Sequence, residues 1–229
     1  AETDLEKFAK SPEQARKHTA RIGLYTPIVK GWLTELAQEL TYLGTQVHGG
    51  MGYVEETGSA QHYRDARIMT IYEGTTGIQA IDLAGRKTLG DQGKAVQDWL
   101  DEIDATAAEL AAVEGFTGMA DALQKAVEAG AAARAWILEN GSADRNSAGA
   151  ASVNYMMLMG YLCGGWVMGK SALKATELLA AGAGDKGFLQ TKLVTVRFYF
   201  EHLLPRTGSL LAAILAGPES VMALDPEQF

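Results

Sequence analysis

The chain has 229 residues, of which 47% are hydrophobic, and can therefore bury a core as one large domain or two small ones. Its formal net charge of -8 at pH 7 argues against a nucleic-acid surface, because binding phosphate backbones needs clustered Lys and Arg. The single cysteine, Cys163, excludes an internal disulfide, and its apolar neighbours predict a packed, unreactive thiol. The spacing of the four histidines does not match a zinc site, so we predict no metal.

The periodicity of hydrophobic residues is helical along almost the whole chain, without a convincing strand or hairpin pattern. The sequence therefore predicts an all-α fold. Residues 1–10 are charged and lack an apolar run, so we expect no signal peptide and a cytoplasmic protein. The absence of an initiating Met fits either a processed terminus or a piece of a longer protein.

The first predicted helix starts at Ser11, where Pro12 and Gln14 give capping-box spacing, and we expect it to end near Leu24. The Thr-Pro pair at residues 26–27 then starts a second helix. Apolar residues at helical spacing predict that this second helix is buried. They are Ile28, Val29, Trp32, Leu33, Leu36, Leu40, Leu43 and Val47.

Glycines Gly49, Gly50 and Gly52 close this helix in a loop. Shorter helices are predicted over residues 59–67 and, after an Ile-Tyr-Glu-Gly-Thr turn, over residues 75–89. The polar junction that follows predicts a boundary between a first domain, 1–90, and a second domain, 91–229.

The second domain is predicted to be an antiparallel bundle of four helices near 94–113, 118–139, 147–181 and 186–216. The expected separators are Gly115, Gly141 with Ser142, and Gly182 with Gly184, while Pro205 should kink or break the last helix. Residues 147–169 carry no charge over a length that could span a bilayer. Their small residues, with a GxxxG pair at Gly160 and Gly164, favour instead the close approach of two soluble helices.

Glu73 and the glycine loop are the two features that could carry chemistry. Glu73 precedes Gly74 where the backbone can turn sharply, so its carboxylate could act as a base, or it could be a first-turn glutamate favoured by the helix dipole. The glycine loop could bring bare backbone to a phosphate-bearing ligand, or it could only cap the helix. His48 beside it suits packing or hydrogen bonding better than acid-base chemistry.

Together, QVHGGMGY and YRDARIMTIYEGTTGIQ resemble the C-terminal helical domain of the acyl-CoA dehydrogenases, over roughly residues 26–89. Residues 94–229, ending in MALDPEQF, resemble the C-terminal helical extension of the longer members, similar to the 3-methylmercaptopropionyl-CoA dehydrogenase group. The resemblance implies that Glu73 removes the pro-R α-proton of an acyl-CoA thioester while the β-hydride passes to the flavin of FAD. It also implies that the backbone N–H of Glu73 and a flavin ribityl hydroxyl hold the enolate oxygen.

The resemblance extends to binding residues. Gly74 would leave room for the thioester, and Tyr72 would line the acyl pocket or be a buried aromatic without a substrate role. Thr75 and Gly77 match positions that touch flavin, although Gly77 replaces the glutamine of many members and could offer only backbone. The residues implied to contact the ADP part of a flavin held mainly by the neighbouring subunit are Gln46, Val47, His48, Gly49 and Gly50. Arg64, Asp65 and Arg67 are expected to form an internal salt-bridge set that orders the loop.

The family begins with a helical and a β-sheet domain that do not precede Ala1, so the chain is expected to be a C-terminal fragment that cannot complete the flavin site alone. The implied whole protein is a homo-oligomeric acyl-CoA dehydrogenase of fatty acid metabolism, a dimer or larger, which forms 2-enoyl-CoA and passes electrons to electron-transfer flavoprotein. Two alternatives stay open. One is an acyl-CoA oxidase, and the other is a non-catalytic helical assembly module.

Overall fold

A computed structural model describes residues 11–228, and within that range it contains helices and no strands, which confirms the all-α prediction. The expectation of no signal peptide rests on residues 1–10, which lie outside the described residues. The helices are α1 (Pro12–Val47), α2 (Gly50–Tyr53), α3 (Ser59–Ile68), α4 (Thr76–Ile81), α5 (Lys94–Ala111), α6 (Thr117–Ala143), α7 (Arg145–Ala180), α8 (Lys186–Phe198) and α9 (Arg206–Leu215). Two π-helical segments, Asp82–Leu89 and Tyr199–Leu203, extend α4 and α8, and 3-10 turns span Glu55–Thr57 and Pro226–Gln228.

Helix α1 starts as predicted, with the Ser11 hydroxyl accepting a hydrogen bond from the Gln14 backbone N–H at 3.2 Å. The predicted end near Leu24 and restart at Pro27 are wrong, because α1 runs unbroken through the proline. Leu24, Pro27 and Ile28 are buried together against the other helices. Tertiary packing at this point outweighs the cost of the missing backbone donor.

The apolar stripe of α1 is only partly buried, which corrects the prediction of a buried helix. Ile28 and Trp32 face the core, whereas Leu40 and Val47 are 58% and 87% exposed in this chain. The other half-exposed members of the stripe are Val29, Leu33 and Leu43. One side of α1 therefore packs on the helices that follow, and the opposite side is an apolar surface.

Helix α7 is the centre of the fold and packs against α1, the α4 segment, α5, α6, α8 and α9. Its GxxxG pair lets these neighbours approach closely, as predicted. A Cβ added at Gly160 would lie 2.1 Å from Trp32 Cγ, and one added at Gly164 would lie 2.1 Å from the Tyr199 hydroxyl oxygen. Within residues 11–228, none of the helices combines the length and hydrophobicity that a bilayer crossing needs.

In the bundle of α5 to α9, short connections join α5 to α6, α6 to α7 and α7 to α8, and the two helices of each of these pairs contact each other. The predicted fourth helix, 186–216, is divided into α8 and α9. Gly115, Gly182 and Gly184 separate helices as expected, each with a positive φ. The predicted break at Gly141 is wrong, because α6 continues to Ala143 and the next helix starts with Asp144 as its N-cap. The predicted break at Pro205 is confirmed, since a π-helical segment ends just before it.

One hydrophobic core crosses the expected boundary between the domains. Leu24, Ile28 and Leu83 belong to the same buried cluster as Trp99 and Leu100. The division at residues 90 and 91 stays a prediction.

Cys163 is packed among these helices, and burial raises the pKa of its thiol to about 11, which agrees with an unreactive cysteine.

Candidate active site

Glu73 lies in an irregular turn between α3 and α4, with φ at 53°, in the left-handed region that non-glycine residues rarely occupy. Gly74 follows with φ at 92°, and a Cβ there would also come within 2.8 Å of the Gln79 side-chain nitrogen. A larger residue at position 74 would therefore be strained and crowded. Strained backbone of this kind persists only where the surrounding structure holds it, and it is concentrated at functional sites.

The side chain and the backbone N–H of Glu73 are both available to a ligand. The residue is exposed, and no described residue forms an ion pair or hydrogen bond with its carboxylate. Its N–H likewise donates to no acceptor within residues 11–228. Its carbonyl is used, because it accepts a hydrogen bond from the Gln79 side chain at 3.1 Å. The turn thus presents one carboxylate and one free donor from the same residue.

Helix α1 holds the turn from both sides. The Lys30 ammonium donates to the Met69 carbonyl at 2.6 Å, and the Thr76 hydroxyl donates to the Glu35 carboxylate. Between these two contacts, the Thr76 backbone N–H donates to the Thr70 carbonyl at 3.2 Å and closes the loop. The turn is therefore anchored to a long helix rather than standing free.

The predicted substrate and flavin residues around Glu73 share this turn. Tyr72 is 49% exposed and lies under the Lys30 ammonium, 5.5 Å from nitrogen to ring centroid, so it is not a buried aromatic in this chain. Thr75 is the N-cap of α4, and its hydroxyl accepts from the Ile78 backbone N–H at 3.4 Å. A Cβ at Gly77 would meet no atom within 4 Å, so bare backbone faces open space there.

The predicted loop of Gly49, Gly50 and Gly52 is shorter than expected, because Gly50 already begins α2 and only His48 and Gly49 lie between α1 and α2. This glycine loop also exposes bare backbone. Gly49 has φ 60° and ψ -142°, a conformation open essentially to glycine alone. No atom lies within 4 Å of a Cβ built at Gly49 or at Gly50. Val47 and His48 are exposed on the same loop, and the structure gives His48 no acid-base partner among the described residues.

A cleft of about 740 Å³ lies beside this loop and includes Gln46. Three tyrosines line it, which the sequence analysis did not single out: Tyr42, Tyr53 and Tyr63. They lie in different elements, α1, α2 and α3, so only the fold brings them together.

The structure separates the glycine loop from Glu73. Glu35, which anchors the turn of Glu73, precedes Gln46 by eleven residues of α1, which corresponds to about 16 Å along the helix axis. The two features are therefore different sites on one scaffold rather than two walls of one pocket.

The salt-bridge set expected from Arg64, Asp65 and Arg67 does not form. Arg64 makes a two-pronged pair with Glu55, at 2.8 Å for each nitrogen to oxygen contact. Arg67 instead hydrogen-bonds the Thr70 hydroxyl, and Asp65 accepts a long contact from Gln61. Asp65 lies one position from Arg64 and two from Arg67, spacings at which helix side chains do not face each other, so the carboxylate meets neither arginine. Within residues 11–228, no group of three or more metal-ligating side chains is present.

Two family matches cover most of the chain. Residues 5–88 match the family described as Acyl-CoA dehydrogenase, C-terminal domain, and residues 99–225 match the family described as Acetyl-CoA dehydrogenase C-terminal like. The second match alone exceeds half of the chain. The chain therefore belongs to the acyl-CoA dehydrogenase family, in its C-terminal helical part.

Three relatives illustrate the similarity. The chain is 46% identical over 197 residues to a 3-methylmercaptopropionyl-CoA dehydrogenase of Ruegeria pomeroyi, covering 84% of this chain and 33% of the relative. It is 32% identical to the broad-specificity linear acyl-CoA dehydrogenase FadE5 of Mycobacterium tuberculosis, over 90% of this chain and 35% of the relative. A butyryl-CoA dehydrogenase of Syntrophomonas wolfei is 27% identical, over 99% of this chain and 37% of the relative. The chain thus spans about a third of the length of these curated relatives.

Proposed function

We propose that the protein to which this chain contributes is an FAD-dependent acyl-CoA dehydrogenase, and that Glu73 is the base that removes the α-proton of the acyl-CoA thioester to give 2-enoyl-CoA. The observation that carries the proposal is the turn of Glu73. Its left-handed backbone presents a carboxylate and an N–H that no described residue engages, on a loop anchored to α1. Family membership supports the choice of reaction.

The α-proton of a thioester is weakly acidic, so its removal needs a well-placed base and stabilisation of the developing enolate. The carboxylate of Glu73 would take the proton, and the free N–H of the same residue would donate to the thioester oxygen. Glu73 is exposed in this chain, and substrate together with other parts of the protein would cover its carboxylate and exclude water from it in the reacting complex. Tyr72 and Gly74 would border the acyl thioester.

The backbone at Gly49, Gly50 and Gly77 suits a flavin nucleotide, because no side chain obstructs the approach of phosphate or ring edges to it. Thr75 and Gly77 would border the flavin that accepts the hydride when Glu73 removes the α-proton. The residues that would meet the ADP part of a neighbouring subunit's flavin are Gln46, Val47, His48, Gly49 and Gly50. When bound, FAD would supply the acceptor for the β-hydride. Such a site would draw residues from two chains, so the proposal includes a homo-oligomer, with electron-transfer flavoprotein as the final acceptor.

The decisive experiment is Glu73→Gln in the full-length protein with FAD, using butyryl-CoA and 3-methylmercaptopropionyl-CoA as substrates. The enzyme and substrate are mixed without oxygen, and the loss of oxidised-flavin absorbance gives the rate of flavin reduction directly. Loss of a general base lowers such rates by about 10² to 10⁴-fold, so we expect a loss of at least this size. Glu114→Gln is the matched control, because Glu114 is also an exposed loop carboxylate and no described residue pairs with it. It should reduce flavin at the wild-type rate.

Near wild-type flavin reduction by Glu73→Gln would reject the proposed base, and failure of the wild-type protein to bind FAD would favour a non-catalytic assembly module. A second measurement separates dehydrogenase from oxidase. Flavin reduced by substrate should be reoxidised faster by electron-transfer flavoprotein than by oxygen, and the reverse order would indicate an oxidase.

A further inference from the structure

Two charged side chains of α1 bracket the turn that carries Glu73. The Lys30 ammonium binds the Met69 carbonyl at 2.6 Å, and the Glu35 carboxylate accepts the hydrogen bond of the Thr76 hydroxyl. Both α1 side chains are only partly exposed. The two contacts therefore fix the start and the end of the short segment from residue 69 to residue 76.

Lys30 and Glu35 do not serve as ordinary ion-pair partners. Among the described residues, neither forms a salt bridge, although the two lie on the same helix. Taking part of a charged group out of water carries a cost, which is normally offset by an opposite charge. Here each charge is directed to an uncharged group of the turn, through charge-assisted hydrogen bonds that are stronger than neutral ones. Their placement is explained by the turn and not by charge pairing.

The backbone of Glu73 needs such support. A left-handed conformation is unfavourable for a non-glycine residue, so an unconstrained turn would relax toward an ordinary conformation. Relaxation would rotate both the carboxylate and the free N–H away from their present directions. Within the turn, the Thr76 N–H donates to the Thr70 carbonyl and the Gln79 side chain donates to the Glu73 carbonyl, while the N–H groups of Ile71 and Tyr72 donate back to the Ile68 carbonyl of α3. The anchors on α1 supply constraints from outside it.

We propose that Lys30 and Glu35 are positioning residues for Glu73: they hold both ends of its turn against α1 and thereby keep the carboxylate and the N–H in their reactive directions. This inference rests on the proposed function. Neither residue touches substrate or cofactor in the proposal. Weakening the anchors lowers the fraction of molecules with a competent base, which reduces the rate of proton removal more than it reduces substrate binding.

The test uses Glu35→Ala, Lys30→Met and Thr76→Val in the full-length protein with FAD, with butyryl-CoA as the probe. Thr76→Val replaces only the hydroxyl with a methyl group and keeps the hydrogen bond from the residue 76 N–H to the Thr70 carbonyl. It is therefore the variant least able to disturb folding. We expect the limiting rate of flavin reduction to fall by about 10 to 100-fold, as for misplacement of a catalytic group by about 1 Å. The substrate concentration that gives half of this rate should change little. Glu35→Gln keeps an acceptor for the hydroxyl and should recover most of the rate.

Glu39→Gln is the matched control, because Glu39 lies one turn further along α1 and pairs with Arg206 rather than with the turn. It should leave the limiting rate unchanged. If it reproduces the loss seen with Glu35→Ala, the effect is general loosening of α1 and the positioning role is rejected. The double variant of Glu35→Ala with Thr76→Val should be no slower than the slower single variant, whereas additive losses would reject action through one shared hydrogen bond.

Glu73→Gln, measured in parallel, separates this inference from the proposed function. If Glu73→Gln is inactive while the Lys30, Glu35 and Thr76 variants keep the wild-type rate, only the positioning role is overturned. If Glu73→Gln retains the wild-type rate, the proposed base itself is wrong. If all these variants reduce flavin slowly and Glu39→Gln keeps the wild-type rate, the result supports both the proposed base and the positioning role.

Discussion

Trp32 of α1 lies directly against Gly160 of α7, so closely that a Cβ at position 160 would be 2.1 Å from Trp32 Cγ. Trp32 is 7% exposed, and its ring also meets the Tyr161 ring edge-on, with centroids 5.7 Å apart. The indole cannot move away from Gly160 without also disturbing its contact with the Tyr161 ring on the same helix. This crossing joins α1, which anchors the turn of Glu73, to α7 at the centre of the bundle.

Gly160→Ala should therefore destabilise the protein. Overpacking of a well-filled core costs about 1–3 kcal/mol, and we expect a loss of free energy of unfolding in that range, measured by urea denaturation. The matched control is Gly149→Ala, since Gly149 lies on the same helix with no atom within 4 Å of an added Cβ. That change should stabilise by about 0.5–1 kcal/mol through helix propensity. Equal effects of the two variants would contradict close packing at Gly160.

Much of this fold could be predicted because its signals are local. Ser11, Gly115 and Pro205 mark helix ends through backbone conformation and capping, which act within a few residues. The continuation of α1 through Pro27 could not be predicted in this way. It depends on tertiary packing, since Pro27 is buried and α1 packs on helices that come much later in the sequence.

Glu39 of α1 and Arg206 of α9 form a two-pronged pair across the fold, with nitrogen to oxygen distances of 2.7 and 2.9 Å. The hydrogen bonds and charge of Arg206 hold the pKa of Glu39 below its ordinary value of 4.5. Because the folded-state pKa is lowered, the pair stabilises the fold above the ordinary pKa, and this contribution is lost as the pH falls through the lowered value.

Glu39→Gln should thus reduce the free energy of unfolding at pH 7 and have a smaller effect near pH 3. Both side chains are more than a third exposed, at 39% and 37%, so solvent screening limits the pair to about 1 kcal/mol or less at pH 7. Urea denaturation of wild type and variant at the two pH values measures the difference, and added salt should shrink it at pH 7. A difference of the same size at both pH values would show that Glu39 acts by packing and not by charge.

Only some residues of the candidate site could be predicted from the sequence. Glu73 and Gly74 were singled out by a local turn pattern and by resemblance, and the structure gives both a positive φ. Lys30 and Glu35 were missed, because their partners lie about 40 residues away in the chain. The only available signal was the presence of two charges next to the apolar stripe of α1, which does not specify what they contact.

Glu73 and Gln92 are the two non-glycine residues with positive φ among the described residues, at 53° and 56°. The strain in a left-handed backbone is relieved by glycine, which has no Cβ. We therefore expect Glu73→Gly and Gln92→Gly each to raise the free energy of unfolding, by up to about 1 kcal/mol after the greater flexibility of the unfolded chain is counted.

The two substitutions should differ in function. Gln92 lies in the exposed turn before α5, where its N–H donates to the Leu89 carbonyl, and Gln92→Gly should reduce flavin at the wild-type rate in the full-length protein. Glu73→Gly should lose the reaction while gaining stability, which is the expected trade-off where strain is kept for catalysis. Urea denaturation together with anaerobic flavin reduction tests both variants. Stabilisation by Gln92→Gly but not by Glu73→Gly would mean that contacts of the Glu73 side chain offset its strained backbone.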